Sequence, residues 1–259
     1  MDATHTNRAT RNAGDAGHNG NVENSGSTRS GAENNGSIRS VDRALDLLTA
    51  VCAGEYIETG RSLNDCARAA DLPPSTALRF LRSLIQRGFV VRDADGMFHP
   101  GTELLRLGAG VLSRNSLIRI ATPDMRALVQ NINESVYLVV LDADGDCLYI
   151  AIEECSQPIR HASWVGKTIP AERSAAGKAL SGAVQPGECA FEHGTVEQDV
   201  TAISSPIVVG GKPVAAMSIL APSYRVDDEK THDFAGKLAT TATKVSRYFT
   251  DDADGDFPA

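Results

Sequence analysis

A chain of 259 residues is long enough to bury a core and to hold two modest domains. Its 25 Lys/Arg against 33 Asp/Glu give a formal net charge of -8, and its five cysteines (Cys52, Cys66, Cys147, Cys155, Cys189) fall in neither CxxC nor HxxxH spacing, so a basic-throughout chain, a disulfide frame and a zinc site are all poor readings. No stretch approaches the roughly 18 apolar residues of a membrane span and no apolar run follows the N-terminal charges, so a cytoplasmic protein without a cofactor or metal is expected.

Residues 1–37 are rich in Asn and Gly, with one branched aliphatic residue (Val22) and no aromatic, too little apolar surface to offset chain entropy; a disordered tail is expected. Ser40 to Cys52 then carries Val41, Ala44, Leu45, Leu48 and Cys52 at helical spacing. Ser62 or Asn64 can cap a short helix running to about Ala70, with Asp65 favoured in its first turn by the helix dipole. Leu72-Pro73-Pro74 breaks that helix, and Pro74-Ser75 suits the start of another that lasts until Gly88. Phe89 to Arg92 and Met97 to His99 read as short strands around Asp93-Ala94-Asp95-Gly96, a hairpin that forms a wing.

The charge distribution bears on what this first part does. Residues 37–100 hold eight Lys/Arg and eight Asp/Glu, whereas 101–259 hold fourteen and twenty-one, so the acid excess lies in the second part. No acidic residue occurs between Asp71 and Asp93, while Arg79, Arg82, Arg87 and Arg92 all do. On the helix after Pro74, Ala77, Phe80, Leu81 and Leu84 form an apolar stripe, and Ser75, Arg79, Arg82 and Gln86 fall on the opposite side. Arginines on a helix are most often a solvated face. Here, however, a capped helix, a turn, a second helix with hydrogen-bonding groups outward and a hairpin follow one another in about 40 residues, the order of a winged helix-turn-helix able to enter a major groove.

Residues 101–134 read as helical, with a kink expected before Pro123. Strand patterns follow at Ser135 to Leu141, Cys147 to Glu153 and Ile159 to Trp164, then a short helix at Ala175 to Val184. Strands at Thr201 to Val209 and Pro213 to Leu220 flank Gly210-Gly211, and a closing helix from Asp228 to Phe249 places Phe234, Leu238, Ala242, Val245 and Phe249 on one face. The expected class is α+β, an antiparallel sheet flanked by helices behind a winged helix-turn-helix. The small residues Ala175-Ala176-Gly177 at a helix start offer unsatisfied N–H groups to an anionic ligand, and Arg173 is a local partner for a carboxylate. Enzyme readings are weak. Gly166-Lys167-Thr168 lacks the glycine of a phosphate loop five residues upstream, where His161 stands, and Ser174 lacks a GxSxG setting.

The segments SIRSVDRALDLL (37–48), PPSTALRFLRSLIQRGFV (73–90), VGKTIP (165–170), SAAGKAL (174–180) and VAAMSILAP (214–222) together resemble the IclR family of transcriptional regulators, in order and spacing, from Ser37 to Phe249. The resemblance implies a winged helix-turn-helix at 38–100, a linker helix at 101–116, a GAF-like effector-binding domain at 117–250 and an acidic tail at 251–259. It implies a homodimer, or a dimer of dimers, on double-stranded operator DNA, acting as a repressor or alternatively an activator and answering to a small organic acid. Pro74, Ser75, Thr76, Arg79, Arg82, Gln86 and Arg92 are the expected DNA contacts. Ile159, His161, Arg173, Ala175, Ala176, Gly177, Ala202, Ser218 and Leu220 are the expected effector contacts. Two departures stand out: the family has some tens of further residues between Cys189 and Val200, and Ala202 occupies a position often filled there by Cys. The alternatives are a ligand-sensing protein whose winged helix contacts another protein, and a hydrolase with an accessory domain.

Overall fold

The computed structural model describes residues 38–157 and 163–251. The tail expected at 1–37, the last eight residues of the expected acidic tail, and Ile159 and His161 lie outside them. The chain divides into two compact units, residues 1–84 with 92–99 and residues 85–91 with 100–259.

The first unit is built on three helices, α1 (Arg39–Val51), α2 (Leu63–Ala69) and α3 (Pro74–Gln86). In α1 the apolar phase differs from the expected one. Leu47, Ala50 and Val51 are buried, while Val41 is 50 % and Leu45 55 % exposed. Consecutive apolar residues at Leu47 and Leu48 let either phase fit the period. Ser62 caps α2, its Oγ accepting the Asp65 amide at 3.2 Å. The turn into α3 places Asp71 at φ 51°, and the Ala77 amide donates to the Pro73 carbonyl at 3.0 Å. Ala77 and Leu81 are fully buried, which anchors the inner face of α3.

Strands β1 (Val90–Arg92) and β2 (Phe98–Pro100) form the two-stranded sheet of the wing. Its turn repeats later in the chain. Asp93-Ala94-Asp95-Gly96 and Asp142-Ala143-Asp144-Gly145 both place the glycine at φ 85°, and in both the first aspartate accepts the amide four residues on, Met97 at 2.8 Å and Asp146 at 3.0 Å. The positive φ is why glycine is needed at the end of each turn.

In the second unit, α4 (Thr102–Arg114) is followed at once by α5 (Ser116–Ile132). The break falls at Asn115, whose extended backbone ends α4 and whose Oδ1 accepts the Ile118 amide at 3.0 Å. Pro123 sits inside α5, the helix continuing on both sides. The sheet comprises β3 (Ser135–Leu141), β4 (Cys147–Glu153), β5 (Thr168–Ile169), β6 (Ala190–His193), β7 (Val200–Val209) and β8 (Lys212–Pro222), in the order β5-β4-β3-β8-β7-β6 with every pairing antiparallel. The expected strand at Ile159 to Trp164 is not borne out where it is described: Ser163 and Trp164 are not in a strand, and the edge of the sheet is β5 instead.

The two faces of the sheet carry different layers. Val136, Leu138, Ile203, Met217 and Ile219 pack against α5 and against α7 (Asp228–Asp251), which contributes Phe234, Leu238, Ala242 and Val245. Tyr137, Val139, Tyr149, Ala216 and Leu220 point the other way, onto α6 (Ala175–Leu180) and Trp164. The residue before β3 and the turn after β8 are tied by a bidentate pair, Arg225 donating to both Glu134 oxygens at 2.8 and 2.9 Å with Glu134 buried.

Candidate functional site

The first candidate surface is the outer side of α3. The thirteen-residue helix is fixed by Ala77 and Leu81 beneath, so its rotation about its own axis is set, and Ser75, Arg79, Arg82 and Gln86 all emerge to solvent. Pro74 is exposed at the helix start and Thr76 half-buried beside it. The Arg79 guanidinium lies 5.6 Å from the Phe80 ring centre, and among the described residues neither Arg79 nor Arg82 is held in an ion pair. Two guanidiniums outside any ion pair, a hydroxyl and an amide along one exposed helix face are groups that can bond base edges or phosphates. Arg92 is placed differently. It is exposed, yet its Nε donates to the Gly96 carbonyl at 3.0 Å and its guanidinium stacks 5.3 Å from the Phe98 ring centre, folded onto its own hairpin. Asp93 at the same turn is held below the usual carboxylate range, chiefly by the hydrogen bond with His99 at 2.8 Å.

The second candidate is a narrow cleft on the α6 face of the sheet. Tyr149, Trp164, Ser174, Ala175, Ala202 and Leu220 line it, with the segment from Glu192 to Val200 across from them. Its free volume is about 20 Å³, room for little more than one water. Sheet register assembles it: Glu192 on β6 faces Ala202 on β7, which faces Leu220 on β8. The ring of Tyr149 meets Trp164 edge-on at 5.1 Å and Tyr137 at 5.6 Å, a packed aromatic wall; burial pushes the Tyr137 hydroxyl up to about 12. Glu192 is paired with Lys178 and accepts from the Thr195 hydroxyl, and these hydrogen bonds, Lys178 first, hold its carboxyl below the usual range.

Of the effector contacts expected from the sequence, Ala175, Ala202 and Leu220 therefore come together. Ala176 and Gly177 are buried behind the lining. The Gly177 amide is taken by the Ser174 hydroxyl at 2.9 Å, and a side chain at 177 would meet the Ala171 carbonyl oxygen at 1.9 Å, so this glycine serves close packing. Ser218 is fully buried, its hydroxyl 2.7 Å from that of Ser204. Arg173 is exposed and donates to the carbonyl of Thr195, a lining residue, at 3.1 Å. Sequence reasoning missed Tyr149, Trp164, Glu192 and Thr195. The chain's single Trp was a usable signal for a cavity wall, whereas the two-residue and four-residue strands β5 and β6 leave almost no periodicity.

Among the described residues no helix is long and apolar enough to cross a membrane, and no group of His, Cys, Asp or Glu is arranged to hold a metal.

Comparison with known proteins places both parts of the chain in one family. Residues 40–94 match the IclR helix-turn-helix domain, and residues 109–190 match the C-terminal domain of bacterial IclR transcriptional regulators. The chain is 32 % identical to the HTH-type transcriptional regulator BhcR of Paracoccus denitrificans over 151 residues, a match that takes in 54 % of the chain and about half, 52 %, of that regulator. It is 25 % identical to the acetate operon repressor of Salmonella typhimurium, covering 82 % of the chain and 90 % of the repressor. Among solved structures, an IclR transcriptional regulator from Alicyclobacillus acidocaldarius shares the fold with a TM-score of 0.71 at 20 % identity, covering 82 % of this chain and 99 % of that one. An IclR homologue from Microbacterium hydrocarbonoxydans, solved with 4-hydroxybenzoate, aligns with a TM-score of 0.65 at 21 % identity over 81 % of this chain and 99 % of that one. With one model of the family matching residues 40–94 and another 109–190, together just over half of the chain, it belongs to the IclR family of bacterial transcriptional regulators.

Proposed function

We propose that this chain is a cytoplasmic repressor that binds operator DNA through α3 and releases or tightens its hold when a small organic acid occupies the cleft beside α6. The observation that carries the DNA-binding half is the exposed row Ser75, Arg79, Arg82 and Gln86 on a helix whose inner face is locked into the core. Pro74 and Thr76 join it at the helix start. Arg92 joins from the wing through its Nη donors, its Nε being held by Gly96.

For the effector, we infer a carboxylate bearing a flat or apolar body. Tyr149 and Trp164 supply the apolar wall, and Arg173 and Lys178 stand at the rim, each tied to a lining residue. A ligand acts on DNA affinity only through a difference in its affinity for the two states of the protein, so the cleft must change shape on binding. With space for about one water, it must open. We assign the reading of DNA to residues 38–100 and the sensing of the effector to 117–250.

A homodimer is the assembly this reading requires for a two-half-site operator. Leu105 at 73 %, Val111 at 67 % and Leu112 at 45 % exposure leave an apolar side of α4 uncovered, which supports a second copy as its cover.

The test is a fluorescence-anisotropy titration of the protein against the duplex upstream of its own gene, with random duplex as competitor at fixed salt. Binding that survives a large excess of random duplex supports a sequence-specific regulator. Equal competition by random duplex would remove that reading and favour a winged helix that contacts protein.

A further inference from the structure

The helix that follows the wing is short of reasons to be a helix. α4 runs for thirteen residues, a length at which an isolated helix is marginal in water, and none of its residues is buried within the chain. Two glycines, Gly108 and Gly110, occupy its middle. Glycine in a helix interior is the least favourable residue short of proline, because it surrenders the most backbone freedom.

Packing does not account for them. A Cβ built at either position meets nothing within 4 Å, so alanine would fit both sites in this chain. Helical geometry also separates the two. Gly108 lies one turn from Leu104, Leu105, Val111 and Leu112, so a second helix approaching the apolar side closely would explain it. Gly110 lies one turn from Arg106, Leu107, Ser113 and Arg114, on the opposite side of the helix, and such a partner leaves it unexplained. Arg106 is already engaged with Glu103 within the helix at 2.8 Å, so that side carries its own local support. What the two glycines share is low helix propensity at one place.

We propose that Gly108 and Gly110 form a built-in flex point in α4, and that the readiness of this helix to open sets how tightly the protein holds operator DNA. The inference rests on the reading of the chain as a DNA-binding regulator. If a continuous α4 belongs to the DNA-competent state, the fraction of molecules in that state scales the apparent affinity, and a soft helix lowers it. A helix poised in this way is also one whose order a bound ligand can shift.

The test joins hydrogen exchange to DNA titration on the full chain. In the wild type, amides of residues 105–114 should exchange faster than those of α5 at 121–132. Gly108→Ala and Gly110→Ala should each slow that exchange by roughly fivefold, the equivalent of the glycine-to-alanine difference in helix propensity. The double variant should bind the upstream duplex about threefold or more tighter. Ala109→Gly should do the reverse on both measurements. Exchange in the wild type as slow as that of α5, or slower exchange in the double variant without tighter binding, would overturn the proposal. Absence of DNA binding by the wild type would instead sink the functional reading, while the exchange comparison would still decide whether α4 is soft.

Discussion

Ser204 on β7 and Ser218 on β8 stand directly opposite each other in the sheet with their hydroxyl oxygens 2.7 Å apart, both essentially without solvent contact. The pair lies on the α6 face of the sheet, and Ser218 is not among the residues that line the cleft. Removing one hydroxyl strands the other in a dry site, which costs more than removing both. Ser218→Ala should lower stability by about 1–3 kcal/mol, whereas Ser204→Ala with Ser218→Ala should recover most of that loss. Chemical denaturation of the two single variants and the double variant measures the coupling.

Two glycines on helices should respond to alanine with opposite signs. At Gly177 the new methyl would sit 1.9 Å from the Ala171 carbonyl oxygen, a backbone atom that cannot rotate away. Gly177→Ala should destabilise by roughly 3 kcal/mol or leave the protein insoluble. At Gly236, inside the long helix α7, nothing lies within 4 Å, and Gly236→Ala should stabilise by about 0.5–1 kcal/mol. Thermal melts of both variants check the contrast, and a shift of the same sign in both would contradict it.

The rim of the cleft should be acid-sensitive through Glu192. Its carboxyl is held below its ordinary value by the hydrogen bonds from Lys178 and Thr195, so the folded state favours the ionised form more than the unfolded chain does. Stability from this group is therefore fully present above the unfolded value of about 4.3 and is lost as pH falls through the lower folded value. Denaturation midpoints between roughly pH 6 and 3 should fall less steeply in Glu192→Gln than in the wild type. Parallel curves would show that the Lys178 pair contributes nothing measurable.

How much of this was legible in the sequence depends on how loudly each element is patterned. β3 and β4 were placed to the residue because an aspartate-glycine turn brackets them, and the polar row of α3 emerged as expected because Ala77 and Leu81 fix the helix from below. In α1 the run of neighbouring apolar residues supports two helix phases, and tertiary packing chose Leu47 and Val51 over Val41 and Leu45. The cleft was half legible. Ala175, Ala202 and Leu220, all expected effector contacts, line one cleft, but the wall made by Tyr149 and Trp164 and the facing Glu192 depend on register across three strands, which local spacing does not encode. The sequence offers the Gly177 amide to an anionic ligand, whereas in the structure that amide donates to the Ser174 hydroxyl and the backbone packs too tightly for any side chain.

Whether α3 reads DNA is decided by Arg79→Ala. Affinity of wild type and variant for the upstream duplex and for random duplex should be measured across a range of salt concentrations. If Arg79 bonds a base edge, specific affinity should drop by about 1–3 kcal/mol with random binding little changed; if it bonds a phosphate, both should weaken and the salt slope should fall by about 0.9. Unchanged affinity and slope in a folded variant would contradict the assignment of α3 as the reading helix.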